Sequence, residues 1–144
     1  MYYLDTSFII ASLMQDEIRS EDARNWLSSV EAGQLAISDW VKTEVASALS
    51  LKVRTGQIGL ADRAAASQQW HLMAESSLAS ITVDSDDFLS AAQFVEFQEL
   101  SLRAGNALHI AIAKNAACTL VTLDKRMADA AVELGVPVAR LAGR

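Results

Sequence analysis

The sequence predicts an α/β fold with three layers, α/β/α, in which a short-stranded, mainly parallel central sheet lies between two layers of helices. Short apolar stretches, such as YYL at 2–4 and CTLVTL at 118–123, alternate along the chain with longer stretches that have helical periodicity. The short stretches are apolar throughout, which is typical of strands covered on both faces. Strands that alternate with helices in this way favour a parallel sheet.

The first half of the chain is predicted to begin with a strand at 2–4, which stops at Asp5, a preferred N-cap residue for a helix through SFIIASLM. A second helix over about 20–31 leads to a strand at 35–38, whose last residue, Ser38, caps a third helix. The residues expected on the inner faces are Ala23, Trp26, Leu27 and Val30 on the second helix, and Val41, Val45, Ala48 and Leu49 on the third.

The second half of the chain continues the alternation of helices and strands. We predict helices over 60–75 and 103–115, strands at 80–83 and 118–123, and a last short strand at 138–141. Two further helices are capped by acids: one opens around 84–87 and carries Phe88, Leu89, Ala91, Ala92 and Val95, and the other follows Asp124 and carries Met127, Ala131 and Leu134. No linker-like stretch interrupts residues 1–144, so we expect a single domain.

The net charge of −6 and the isoelectric point of about 4.8 argue against a basic surface that would hold nucleic acid without specificity. Carboxylates gathered in a metal site would also lower the isoelectric point, and local cations could still contact phosphates: Arg54, Arg63, Arg103, Lys125 and Arg126. A basic partner protein would explain the acidity equally well. No apolar run approaches the roughly 20 residues of a membrane span, and no basic leader is recognisable, so we expect a cytoplasmic protein with no membrane partner.

Two acids stand where a parallel sheet is expected to bind ligands. Asp5 directly follows the first strand, and Asp124 directly follows the strand TLVTL. Ligands of open parallel sheets bind beyond the carboxyl ends of the strands. Each acid also has a simpler explanation, because Asp is favoured as the N-cap of a helix that starts at that point.

Glu44 lies on the helix face that otherwise points to the core, which it shares with Val41 and Ala48. It lies beyond the first turn of its helix. The helix dipole stabilises an acid mainly within that first turn, so the dipole does not account for Glu44. A buried carboxylate without a partner is costly, and a cation is the usual remedy. The alternative is a partly exposed Glu at the edge of that face, paired with Lys52 or with an arginine.

Asn106 and His109 form a polar pair on a helix that is otherwise small and apolar from 104 to 113. Asn106 joins the acids if its helix passes the same strand ends; alternatively, it simply starts the helix after a turn. His109 is expected to be a hydrogen-bonded, semi-buried imidazole or a hydrogen-bonding residue at the edge of the site. No second His or Cys lies at metal-ligand spacing, so a zinc site is not expected.

Three carboxylates and an amide oxygen at one place would form an acid-rich, all-oxygen pocket of the kind that Mg²⁺ and Mn²⁺ prefer. Such ions support phosphodiester hydrolysis, because they lower the pKa of a bound water and stabilise the departing oxygen. The candidate catalytic residues are Asp5, Glu44, Asn106 and Asp124, of which Asp5, Asp124 and Asn106 are the candidate metal ligands. Nearby hydroxyls could orient the water or the phosphate, or could be ordinary helix-start and strand-end residues: Thr6, Ser7 and Thr122.

Four stretches carry a resemblance to a known family: YYLDTSFIIA at the start, TEVASAL at 43–49, LRAGNALHIAIA at 102–113 and LVTLDKRMADAA at 120–131. Together, and in this order, they resemble the PIN-domain ribonucleases, most closely the VapC-type toxins of type II toxin–antitoxin systems. The resemblance spans essentially the whole chain. It implies a PIN-like domain, often a homodimer, that cleaves RNA with Mg²⁺ or Mn²⁺.

The resemblance assigns Asp5, Glu44 and Asp124 to three of the family's acids, and Thr6 or Ser7 to the hydroxyl beside them. It also implies a cognate VapB-type antitoxin, through which the toxin would contact operator DNA only indirectly and whose tail would cover the site. Arg or Lys in such a tail would suit an acidic pocket. The residues expected to contact RNA are Arg103, Lys125 and Arg126.

Asn106 departs from the family pattern, in which this block carries Asp. Its amide can offer one oxygen to a metal but brings no negative charge and cannot act as a base. Unit charges about 4 Å apart interact by roughly 4 kcal/mol at an effective dielectric constant near 20, so we expect weak metal binding and little or no cleavage. The alternative is a non-catalytic PIN-like module that binds an antitoxin. A phosphatase with Asp5 as nucleophile fits less well, because LDTS lacks a second Asp two residues later.

Overall fold

The central sheet has four short strands, all parallel, in the order β3-β2-β1-β4. The structure is a computed structural model that describes residues 1–141. The strands are β1 (Tyr2–Leu4), β2 (Leu35–Ser38), β3 (Ala79–Ile81) and β4 (Thr119–Val121). A parallel sheet flanked by helices confirms the predicted α/β fold class.

Seven α-helices cover much of the described range, residues 1–141, and a short 3-10 turn at Gln98–Leu100 was not predicted. The helices are α1 (Thr6–Leu13), α2 (Ser20–Ser29), α3 (Asp39–Arg54), α4 (Leu60–Ser76), α5 (Ser85–Val95), α6 (Ala104–Asn115) and α7 (Lys125–Glu133). Each corresponds to a helix that the sequence predicted. Within the described residues, no helix is both long and apolar enough to cross a lipid bilayer.

The side chains of β1 show how helices cover both faces of the sheet. The ring of Tyr2 meets Trp26 of α2 edge-on, with ring centroids 5.1 Å apart. The hydroxyl of Tyr3 instead lies 2.9 Å from Nδ1 of His109 on α6. Because neighbouring residues of a strand face opposite sides, α2 and α6 lie on the two faces of the sheet.

Capping residues fix where the strands stop and the helices start. Asp5, Ser38, Asp84 and Asp124 each accept a hydrogen bond from a backbone N–H in the first turn of the helix that follows. A side-chain cap of this kind contributes about 1 kcal/mol. The predicted capping roles of these residues are therefore confirmed, and Asp5 and Asp124 lie just beyond the carboxyl ends of the adjacent strands β1 and β4.

The connections around β1 create the crevice expected in a parallel sheet. β1 lies between β2 and β4, so the chain leaves it towards one side and returns on the other. The N–H of Asp5 donates to the carbonyl oxygen of Val121 over 3.1 Å, which extends the β1–β4 pairing to the edge of this crevice. Functional side chains from β1 and β4 can therefore meet there.

Helix α6 is largely enclosed, since every residue from Ala107 to Ala113 is buried. The small side chains of Ala107, Ala111 and Ala113 let it pack closely between the sheet, α5 and α7. A polar residue on this helix must therefore find a partner inside the protein.

Helix α5 turns Asp87 inward and leaves several of its large apolar side chains exposed. Phe88 and Leu89 are exposed by 59% and 62%, whereas Asp87 and Phe94 are buried with Ala91. Asp87 sets this rotation, because its carboxylate accepts hydrogen bonds from the N–H of Asp84 and from Asn115 on α6. Phe88, Leu89 and Val95, which the sequence analysis placed on this helix, therefore lie outside the core.

The strands predicted in the second half of the chain are all shorter than expected, including β3, which covers Ala79–Ile81 instead of 80–83. The strand expected at 138–141 is reduced to one bridge between Val138 and Leu120. Pro137 comes just before the bridge, and proline has no N–H with which to extend a ladder. β4 is likewise limited to Thr119–Val121, because Thr122 turns its hydroxyl into the hydrogen-bond network described below.

Candidate active site

Asp5 forms the buried centre of the candidate site, with 1% of its surface exposed. Its Oδ1 accepts hydrogen bonds from the Phe8 N–H at 2.9 Å and from the Ser7 hydroxyl at 2.8 Å. Its Oδ2 accepts from the Thr122 hydroxyl at 2.6 Å. Asp5 therefore caps α1, as one of the two sequence interpretations predicted, and its membership of a functional site stays a prediction.

The hydroxyls of Ser7 and Thr122 join the ends of β1 and β4. Ser7 Oγ accepts the N–H of Leu123 at 3.0 Å, and Thr122 Oγ1 accepts the N–H of Asp124 at 3.0 Å. Each hydroxyl therefore donates to Asp5 and accepts from the backbone that leads into Asp124. These two hydroxyls hold Asp5 and Asp124 on one rigid scaffold.

Asp124 and Asn106 meet at the start of α6. Asp124 uses Oδ1 to accept the N–H of Met127 at 3.0 Å, while its Oδ2 accepts a hydrogen bond from the Asn106 amide nitrogen at 3.2 Å. Helix α6 begins after Arg103, so Asn106 lies inside its first turn. The alternative prediction, that Asn106 simply starts the helix, is wrong.

Glu44 projects from α3 and is partly exposed, with 28% of its side chain accessible. Its Oε1 accepts a hydrogen bond from the Thr6 hydroxyl at 2.7 Å and another from Nε2 of His109. The predicted alternative partner, Lys52, pairs with Glu17 instead. The partner of Glu44 is therefore a buried histidine from the opposite side of the sheet.

The two carboxylates respond to their surroundings in opposite directions. Burial raises the pKa of Asp5, and the hydrogen bonds from Thr122, Phe8 and Ser7, with the positive charge of His109 when that ring is protonated, only partly offset this rise. Burial would also raise the pKa of Glu44, but the hydrogen bonds from His109 and the Thr6 hydroxyl, with the positive charge that His109 carries when it is protonated, outweigh it and lower that pKa.

Three residues of the site escaped the sequence analysis or were placed only at its edge. His109 is 1% exposed and contacts both Glu44 and Tyr3, and the hydroxyl of Tyr3 lies 2.8 Å from that of Ser38. Burial raises the pKa of Tyr3 well above its ordinary range. The only signal in the sequence was a histidine on an apolar helix face, since Tyr3 and Ser38 read as an ordinary strand residue and a helix cap.

In the described arrangement these side chains do not fit a divalent ion held by three carboxylates. Among residues 1–141, no three His, Cys, Asp or Glu side chains are grouped so that they could hold a metal ion. Asp5 is fully engaged by hydroxyl and amide donors, and one oxygen of Asp124 accepts from Asn106. A metal ion would have to displace the Asn106 amide to reach that oxygen.

A groove of about 590 Å³ opens beside Thr6, Ser7 and Asp124. Its other walls are mostly apolar and include Ile10, Ile18, Ala48 and Leu123. Arg103 is exposed at the start of α6, whereas Lys125 pairs with Asp129 and Arg126 lies among the acids Glu99, Asp129 and Glu133. Of the predicted RNA contacts, Lys125 is paired with Asp129, whereas neither Arg103 nor Arg126 forms an ion pair within residues 1–141.

Comparison with known proteins adds a family and a set of similar folds. Residues 2–133 match the PIN domain family. No protein of curated function matches the sequence significantly. The fold is similar to that of VapC20 from Mycobacterium tuberculosis, described as a sarcin-ricin loop cleaving toxin, with a TM-score of 0.74 and 18% identity over 97% of this chain and 99% of that chain.

Two further solved structures are similar to a comparable degree. FitAcB from Neisseria gonorrhoeae has a TM-score of 0.71 and 21% identity over 97% of both chains. VapBC-1 from nontypeable Haemophilus influenzae has a TM-score of 0.69 and 12% identity over 99% of this chain and 98% of that chain. At these identities the similarity concerns the fold.

Proposed function

Because this chain belongs to the PIN-domain family, we propose that it is the toxin of a toxin–antitoxin pair and a Mg²⁺- or Mn²⁺-dependent ribonuclease whose activity is weakened by Asn106. PIN-domain proteins are generally nucleases that use divalent metal ions. The likeness to VapC20, described as a toxin, supports a toxin rather than another kind of nuclease, and FitAcB and VapBC-1 share the same fold. The catalytic groups would be Asp5, Glu44, Asn106 and Asp124.

The hydrogen bond from Asn106 to Asp124 carries this proposal. The two side chains are 3.2 Å apart at the crevice where a parallel sheet binds its ligand. Two carboxylates at this distance would need a shared proton or a cation between them, because like charges so close cannot both remain ionised. An amide removes that need by donating a hydrogen. The site is therefore stable without a metal, and we expect its affinity for one to be low.

The decisive experiment restores the acid. We would compare RNA cleavage by the natural chain and by Asn106→Asp in Mg²⁺ and in Mn²⁺, with Asn25→Asp on the exposed surface of α2 as the matched control. Cleavage that appears only with Asn106→Asp, and that disappears again when Asp5→Asn is added, supports a nuclease weakened at one position. Equal cleavage by the natural chain and Asn106→Asp would contradict the weakening.

The second candidate is a non-catalytic module that binds an antitoxin, and the same Asn106–Asp124 hydrogen bond favours it. A site satisfied without a cation can keep its shape while it performs no chemistry. If Asn106→Asp binds Mn²⁺ but neither variant cleaves RNA, the module is the better description. Retained binding of an antitoxin by both variants would then be the function that remains.

The groove beside the site supports a VapB-type antitoxin as partner under either description. Its apolar walls suit an amphipathic segment, and Asp124 places a negative charge at its edge that suits Arg or Lys, whereas Glu17 is already paired with Lys52 and Arg19 adds a positive charge to the lining. Such an antitoxin would connect the toxin to operator DNA indirectly, in the cytoplasm. A homodimer of the toxin is proposed on the family likeness alone, and sedimentation of the purified chain would test it.

A further inference from the structure

We propose that Ser38, Tyr3 and His109 form a buried hydrogen-bond relay that orients the Glu44 carboxylate, so that His109 is a positioning residue of the site. The inference rests on the proposed nuclease function where it concerns catalysis. Its structural part, the orientation of Glu44, is independent of that function.

The relay is continuous and lies inside the protein. The Ser38 hydroxyl is 2.8 Å from that of Tyr3, and the Tyr3 hydroxyl is 2.9 Å from Nδ1 of His109. Nε2 of His109 then hydrogen-bonds to Oε1 of Glu44. Ser38 and Tyr3 are completely buried and His109 is 1% exposed, whereas Glu44 is partly open to solvent. The relay therefore ends where the protein interior meets the crevice.

The hydrogen-bonding capacity of each group gives the relay one direction. An ionised Glu44 can only accept, so Nε2 of His109 must donate. In the neutral ring, Nδ1 then accepts from Tyr3, and Tyr3 accepts from Ser38. Ser38 in turn accepts the N–H of Val41 as the N-cap of α3. Every donor in this arrangement has an acceptor.

If the relay ran in the reverse direction, the hydrogen of one buried hydroxyl would have no acceptor. An imidazolium would donate to Tyr3, which would donate to Ser38. Ser38 would then accept from both Tyr3 and Val41, and its own hydrogen would have no acceptor among the hydrogen bonds of the described residues. A buried hydroxyl in that condition is costly. The relay thus favours the neutral ring with its hydrogen on Nε2.

The relay also determines which oxygen of Glu44 is available. Both His109 and Thr6 donate to Oε1. The other oxygen, Oε2, lies beside Gly105, 3.4 Å from where a Cβ on that residue would be. Gly105 is in the first turn of α6 next to Asn106, so Oε2 faces the same helix start as the rest of the site. A glutamate without these two donors would be free to change rotamer.

If His109 only filled space in the core, the polar groups of this relay would not be needed. A leucine or phenylalanine could fill the space of a buried ring without three polar groups that each need a partner. The cost of burying this relay is explained when the relay holds a carboxylate that works at the surface. Partners that orient the direct ligands of a site typically change activity or affinity by about 10- to 100-fold when removed.

Nuclear magnetic resonance of the ring nitrogens tests the relay without any assay of activity. The chain has two histidines, His71 and His109. The substitution His71→Gln, on the surface of α4, therefore leaves His109 as the only source of imidazole signals. We expect an Nε2-protonated ring whose Nδ1 signal shifts in Tyr3→Phe and whose Nε2–H signal shifts in Glu44→Gln. A ring protonated on Nδ1, or signals unchanged in both variants, would overturn the inference.

Orientation and catalysis are tested with paired substitutions at His109. His109→Gln keeps a donor for Glu44, whereas His109→Leu removes it. We expect carbon relaxation to show an ordered Glu44 side chain in the natural chain and in His109→Gln, and one as mobile as the exposed Glu96 in His109→Leu. Tyr3→Phe, which preserves the ring in the core, gives a milder loosening should His109→Leu fold poorly. A Glu44 side chain equally ordered in all these variants would overturn the inference.

In the Asn106→Asp background, His109→Leu should lower kcat about tenfold with little change in KM, and His109→Gln should recover most of it. When His109→Leu is combined with Glu44→Gln, kcat should fall little further than it does in Glu44→Gln alone. Additive losses would contradict a role through Glu44. If Asn106→Asp does not cleave RNA at all, the proposed function fails, while the ring signals and the order of Glu44 still decide the relay.

Discussion

The pocket around Asp5 and the pocket around Glu44 hold the same functional group in opposite surroundings. Asp5 is sealed at the end of β1 by donors from neighbouring residues and from β4, and burial raises its pKa. Glu44 is partly exposed on α3, and its two donors, led by His109, lower its pKa despite burial. Two carboxylates whose surroundings separate their pKa values are suited to different roles.

The comparison indicates that the Asp5 pocket mainly stabilises the fold, whereas the Glu44 pocket mainly sets the orientation of its carboxylate. The Asp5 pocket holds two adjacent strands together, so any change there affects the folding of the crevice. The Glu44 pocket depends on side chains from three helices, so changes there should affect orientation more than stability. The following predictions test this difference, from the largest expected effect to the smallest.

Removal of the Asp5 carboxylate should cause the largest loss. Asp5→Ala leaves the Ser7 hydroxyl, the Thr122 hydroxyl and the Phe8 N–H without their acceptor, at about 1–3 kcal/mol for each buried group. We expect the free energy of unfolding in urea to fall by about 3 kcal/mol or more, against about 1 kcal/mol for Glu44→Ala. Equal losses from the two variants would remove the distinction between the pockets.

Asn106→Asp should destabilise the chain in the absence of metal, because a carboxylate would replace the donor that now faces Asp124. We expect a loss on the order of 1–2 kcal/mol, measured by urea unfolding in a chelator. Mn²⁺ at about 100 times its Kd should return about 2.7 kcal/mol, which would raise Tm above that of the metal-free variant. Asn25→Asp should respond to neither treatment, and a natural chain stabilised by Mn²⁺ as strongly as Asn106→Asp would contradict this account.

Two substitutions of the same chemistry compare the hydroxyls of the pockets directly. Thr122→Val removes the buried donor to Asp5 and the acceptor for the Asp124 N–H, whereas Thr6→Val removes only the donor to the exposed side of the site. We expect losses of about 2 kcal/mol for the first and about 0.5–1 kcal/mol for the second by urea unfolding. The reverse order would show that the Glu44 pocket carries more of the stability.

The smallest effect is a pH dependence that belongs to Glu44. Because its pKa in the folded chain is lowered, ionised Glu44 contributes stability above its unfolded pKa of about 4.3, and this is lost as the pH falls through the folded value. Glu44→Gln should therefore lose less stability than the natural chain between neutral pH and pH values below about 4. Parallel curves of Tm against pH for the two proteins would contradict the lowered pKa.

Much of the fold could be predicted from local patterns. Apolar strands, helical periodicity and capping residues such as Asp5, Ser38 and Asp124 depend on near neighbours in the chain, and these elements lie where the sequence indicated. The face of α5 could not be predicted in the same way. Its rotation depends on the bond from Asp87 to Asn115, which are distant in sequence and meet only when α5 packs on α6.

In the candidate site, too, some features follow from neighbouring residues in the chain and others depend on tertiary contacts. The acids and hydroxyls next to strand ends were predictable, because a parallel sheet gathers the carboxyl ends of its strands at one edge. The partner of Glu44 was not, because Lys52 is the cation nearer to it in sequence while the actual donor, His109, arrives from another helix. Sequence spacing carries no information about which side chains meet across a sheet.

The sequence by itself determined the α/β class, the helix starts and the presence of a neutral amide at position 106, since these follow from residue chemistry and short-range periodicity. Only the tertiary structure decided that Asn106 donates to Asp124 and that Tyr3 and Ser38 reach Glu44 through His109. The reason is physical: a hydrogen bond requires two groups within about 3 Å, and only the packing of α6 against the sheet brings these groups so close.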